Sequence, residues 1–148
     1  MAIKLNIEGF GALLREIEKA GGNLDAVTKK CLSESAEIMQ SELKTQMQES
    51  NVPQRMINAM PSPELEHQGN VFTARIGYKK GAYDPKNPSI GYKVVFLNYG
   101  TPNRTKHGKI DPNAPERGFI QRAKKRARPK IRKQQKEALQ KALKGLKK

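Results

Sequence analysis

The sequence predicts an α+β fold, a small antiparallel sheet wrapped against one long central helix, with a basic C-terminal helix in the same single domain. Three observations carry this. Residues 24–49 place apolar side chains at three- and four-residue steps, the period of a helix with a core-facing side. Residues 3–7 and 71–78 alternate apolar and polar residues with the period of half-buried strands. Residues 101–148 hold 17 basic and 3 acidic residues, against 12 and 11 in residues 1–100. A near-neutral body, residues 1–114, is therefore followed by a cationic segment, residues 115–148.

Taken in order, Ile3, Leu5 and Ile7 face one side of a first strand, with Lys4, Asn6 and Glu8 on the other. Phe10, Leu13, Leu14 and Ile17 form a short amphipathic helix that Gly21 and Gly22 end. Asn23 is a suitable N-cap for the long helix, whose apolar strips run through Leu24, Val27, Cys31 and Ile38 and through Leu32, Ala36, Met39, Leu43 and Met47. Ser50, Asn51 and Pro53 stop it. A short helical piece is predicted over residues 55–60, then loop over 61–70. Phe72, Ala74, Ile76 and Tyr78 share one face of the clearest strand. Residues 79–90 read as an exposed, mobile loop, and residues 92–97 as a buried strand pairing antiparallel with 71–78. Residues 98–115, rich in Gly, Pro and Asn, are expected to be irregular.

The cationic segment is expected to enter a helix near Pro115 or Gly118 and to kink or restart at Arg128, because Pro129 belongs at a first helical turn rather than in an interior. Beyond it Ile131, Leu139, Leu143 and Leu146 make one apolar stripe. Burying four side chains does not offset the entropy of ordering eighteen residues, so this helix needs a surface to pack on.

The composition excludes several classes. No apolar run approaches the length of a membrane-spanning helix, and the single cysteine, Cys31, cannot form an internal disulfide, which fits a reducing cytosol. Cys31 falls on the apolar face of the long helix and reads as a small buried hydrophobe. His67 and His107 are distant from one another and lack clustered carboxylates, so no metal site is expected. Gly108-Lys109 is followed by Ile110 where a phosphate loop needs Ser or Thr. No catalytic motif appears, and neither enzyme activity nor a cofactor is predicted. The net charge of +15 points to an anionic partner. Arg122, Lys124, Lys125, Arg126, Arg128, Lys130, Arg132 and Lys133 cover most directions around the helix, which suits non-specific phosphate contact better than base reading, and suits a solvated helix equally well.

Three segments, Asn51-Val52-Pro53 with Arg55-Met56-Ile57, Tyr92 through Thr101, and Gly118 through Ala123, together resemble successive landmarks of the neck or tail-completion proteins of long-tailed bacteriophages. In that family a long helix ends in a proline-containing turn, an aromatic and apolar run closes on an acidic residue, an aromatic and Gly-Thr, and a Pro-Phe entry opens the C-terminal helix. Asn98 stands where glutamate is usual, and Gly118 where proline is common. The resemblance implies a non-enzymatic virion protein that assembles as a homo-oligomeric ring at the head-tail junction, reached from the host cytoplasm, with connector and tail proteins as partners and no membrane. It implies subunit contacts by Phe96, Tyr99, Gly100, Thr101 and Phe119. Closure of the monomer core is the competing role for these aromatics. The alternative function is a nucleic-acid-binding accessory protein acting through the cationic helix.

Overall fold

The computed structural model describes residues 2–69, 71–78, 90–99, 103–104, 110–111 and 118–146. Strand β1 (Ala2–Leu5) leads into helix α1 (Gly11–Lys19), the long helix α2 (Leu24–Glu49) and the short α3 (Gln54–Asn58). Strands β2 (Glu64–Gln68) and β3 (Val71–Gly77) follow, then helix α4 (Ile90–Tyr99), a two-residue ladder of β4 (Asn103–Arg104) with β5 (Ile110–Asp111), and helix α5 (Phe119–Leu146). The larger sheet is antiparallel in the order β1-β3-β2. The α+β architecture read from the sequence is the observed one: this sheet and α5 both pack on α2.

Local chemistry sets the helix ends. At the end of α1, Gly21 at φ +83° lets the Gly22 N–H reach Ile17 O at 3.0 Å and the Gly21 N–H reach Glu18 O at 3.1 Å, which together make a Schellman turn. The Asn23 side chain then caps α2 by accepting from the Ala26 N–H. Asn51 (φ +59°) repeats the Schellman turn at the far end of α2, where the Val52 N–H donates to Met47 O and both side chains are buried.

The core has two parts. The main cluster joins the sheet face of Ile3, Phe72, Ala74 and Ile76 to Leu32, Met39, Leu43 and Met47 of α2 and to Phe119, Ala123 and Ile131 of α5. A second cluster puts Leu139 and Leu143 of α5 against Ile17 and Cys31, with Leu13 and Leu14 of α1 beside them. The surface that the C-terminal stripe needs is thus supplied within the subunit. Its last member, Leu146, stays 37% exposed.

Between the two clusters lies a polar seam. Ser35 Oγ sits 2.9 Å from Cys31 O and 2.6 Å from Gln134 Oε1, while Gln135 Nε2 donates to it at 3.2 Å. Gln134 Nε2 also donates to Glu34, and Gln135 Nε2 to the Asn6 carbonyl of the N-terminal segment. Each buried polar group here has a partner, as burial demands.

Several expectations are corrected. Residues 92–97 are helical, within α4, and do not pair with β3. Both edges of β3 are already taken by β1 and β2, so no partner remained for another strand, and strand propensity is weak enough for tertiary context to override. Residues 64–68, expected as loop, form the edge strand β2, whose poor alternation reflects exposure on both faces. Of the kink or restart expected at Arg128, the restart does not occur: α5 is one helix from Phe119 to Leu146 with Pro129 inside it. Residues 98–115 are not wholly irregular, since they contain the β4-β5 ladder. The loop predicted over residues 79–90 lies outside the described residues up to residue 89, and Ile90 begins α4.

Candidate interaction surfaces

Two of the segments singled out in the sequence, Tyr92 through Thr101 and Gly118 through Ala123, meet at the N-terminus of α5. A helix start leaves its first N–H groups without intrahelical acceptors. Here Asn98, on the last turn of α4 and fully buried, supplies them: its Oδ1 accepts the Ile120 N–H at 2.8 Å and its backbone carbonyl accepts the Gly118 N–H at 3.0 Å. Val94, one turn earlier, is buried on the same face of α4. Asn98 thus caps α5 from another element. Its Nδ2 has no hydrogen-bond partner among the described residues.

Gly118 makes this geometry possible. It sits at φ +60°, which a proline ring fixed near −65° cannot reach, and it gives a hydrogen bond that proline lacks. Asn98 and Gly118 are therefore direct hydrogen-bond partners.

One turn into α5, Arg122 ties the same corner to the end of α2. Its Nε donates to Gln46 Oε1 at 3.2 Å and its Nη2 to Ser50 Oγ, beside the Asn51 turn. Around this corner all three sequence landmarks share the main cluster, through Val52, Met56 and Ile57, through Val94, and through Phe119, Ile120 and Ala123.

Of the residues assigned to subunit contact, Phe119 is fully buried in the main cluster and serves the monomer core, so it is withdrawn from the candidate interface. Tyr99 is 54% exposed at the end of α4 and remains available. Gly100, Thr101 and the Phe96 side chain lie outside the described residues. The cationic residues also divide. Arg122 is engaged with α2, and Lys130 pairs with Glu42 of α2. Lys124, Lys125, Arg126, Arg128, Arg132 and Lys133 are exposed.

His67 stacks on its cross-strand partner Phe72, with ring centroids 4.1 Å apart, a packing role. Burial, with the charge of Glu34 adding to it, pushes the Cys31 thiol up to about 11, so it is protonated and unreactive at neutral pH. No described helix is long and apolar enough to cross a membrane.

Sequence reasoning missed Asn98 as a cap and the buried Gln46, Ser35 and Gln135. The available signal was a lone polar residue at a core-facing position: Gln46 between Leu43 and Met47, Gln135 between Ile131 and Leu139. No family model, curated protein or solved structure matches the chain.

Proposed function

We propose that the protein is a non-enzymatic structural subunit of a tailed phage, acting at the head-tail junction through contacts with its own copies and with connector and tail proteins. One observation carries the reading. The three segments that resemble landmarks of neck and tail-completion proteins contribute to one hydrophobic cluster, through Val52, Met56 and Ile57, through Val94, and through Phe119, Ile120 and Ala123, and the last two are joined at a hydrogen-bonded corner by Asn98 and Gly118. A shared structural role explains why these short motifs occur together, and the exposed Tyr99 ring at that corner offers apolar surface to a neighbour. The protein would then pass from the host cytoplasm into the virion. A second reading, non-specific contact with nucleic acid, is favoured by the exposed Lys and Arg of α5.

Native mass measurement of the purified protein distinguishes the two, made alone, with the connector and tail-tube proteins encoded beside it, and with duplex DNA at stepped salt. A ring or a defined complex with either protein is expected, and Tyr99→Ser should weaken it. A strict monomer that takes neither partner, from a genome without neighbouring capsid and tail genes, overturns the first reading. Steeply salt-dependent DNA binding by that monomer would install the second.

A further inference from the structure

Strand β1 is an edge strand, and its free side opens on a cleft beside α5. Among the described residues β1 pairs only with β3. Successive residues of a strand direct their backbone groups to opposite edges, so half of the N–H and C=O groups of β1 face away from the sheet. The cleft has a volume of about 620 Å³. Its wall on one side is residues 3–6, and on the other the face of α5 that carries Lys124, Arg128, Ile131 and Arg132. Met39 and the buried Ile3 and Ile131 give it an apolar floor.

The rim is cationic. Lys4, Lys124, Arg128 and Arg132 line the cleft against one carboxylate, Glu8, and no ion pair among the described residues neutralises any of the four. Lys124, Arg128 and Arg132 lie four residues apart on one row of the helix, which spaces them by roughly 6 Å. Alternate side chains of an extended strand repeat at roughly 6.6 Å. Acidic residues at every second position of an extended chain can therefore each meet one of these cations, while the intervening side chains turn toward the apolar floor.

We infer that this cleft is a docking site for an extended acidic segment of another protein, one alternating acidic with apolar residues, which adds as a strand to the free edge of β1 and is held by Lys124, Arg128 and Arg132. The edge supplies backbone hydrogen bonds, the floor accepts apolar side chains, and the charge row selects acidic over basic partners. The inference rests on the cleft and the strand edge, and stands independently of the head-tail junction reading.

The test uses the full chain and a labelled peptide of about ten residues alternating Glu and Val, the length of a recognition strand. Binding is expected, with amide chemical-shift changes centred on residues 3–6. The pair Lys124→Glu with Arg128→Glu, both at exposed positions, should weaken it at least about tenfold, while Lys125→Glu with Lys136→Glu, exposed but outside the cleft, should change it less than about twofold. A peptide N-methylated at alternate backbone nitrogens, which alters no residue of the protein, should lose at least about tenfold because it cannot complete the ladder. The inference is overturned by absence of binding, by equal losses in the two charge variants, by full binding of the N-methylated peptide, or by shifts of residues 3–6 with duplex DNA but not with the peptide.

Discussion

At the scale of single residues, Asn98 does the work of a helix N-cap from a separate element, so its loss exposes two kinds of cost: the Ile120 N–H is left buried without an acceptor, and a small void opens. Asn98→Ala is expected to lower stability by about 1–3 kcal/mol in denaturant titrations. Gly118→Pro should be worse than Gly118→Ala, since proline forbids the positive φ and removes the N–H that Asn98 accepts, whereas alanine meets only the strain of a left-handed backbone, about 1–2 kcal/mol. Equal stability of the two variants would mean that the observed turn is not the one adopted in solution. Two buried acids give a second prediction. Burial raises the Cys31 thiol from 9.0 to about 11 and the Tyr78 phenol from 10.0 to about 12. The unfolded chain then loses these protons first, so the folded state binds more of them across this range and stability falls as pH rises from about 9 to 12. Cys31→Ala should flatten the lower part of that decline, as followed by alkaline unfolding monitored by circular dichroism.

At the scale of elements, Pro129 in α5 has no N–H for the carbonyl one turn earlier, yet the helix runs through it because Ala127 and Ile131 on either side are held in the core. Packing here outweighs propensity. Pro129 itself is exposed, so Pro129→Ala is expected to restore the backbone bond without disturbing the interior, raising stability by about 1–3 kcal/mol and the melting temperature by several degrees. No change in melting temperature would show that the helix already accommodates the ring without strain. The same contest explains which elements the sequence makes legible. Helix α2 is legible because its apolar period, Asn23 cap and Asn51 turn all agree. Helix α4 is not, because in a short run such as Tyr92-Lys93-Val94-Val95-Phe96-Leu97 the single polar residue, Lys93, sets no period to choose between helix and strand. Its buried pair, Val94 and Asn98, is spaced for a helix, but that is visible only once burial is known. Strand β2 was hidden for the opposite reason: an exposed edge has no apolar face, and its only mark was Gly69-Asn70, a hairpin-turn dipeptide ahead of Val71.

At the scale of the molecule, the cationic segment is part of the core. Phe119, Ile120, Ala123, Ala127 and Ile131 share one cluster with α2 and the sheet. Truncation after Ala114 should therefore unfold residues 1–114 rather than release a folded body, seen as loss of dispersed amide resonances; a cooperative unfolding transition in the truncated chain would contradict it. The charge of that segment was plain in the sequence, but its division was not. Distinguishing Arg122 and Lys130, bound to α2, from the row of Lys124, Arg128 and Arg132 beside β1 requires knowing which neighbour each helix face meets. The topology has a further consequence, for biosynthesis. The segment after β1 and the first helix find partners in α5, through Asn6 with Gln135 and Ile17 with Leu139 and Leu143, so a nascent chain can assemble α2 and the three-stranded sheet on the ribosome but cannot close its interior. Until α5 has cleared the exit tunnel, the apolar surfaces of α1 and α2 that it covers stay open to chaperones.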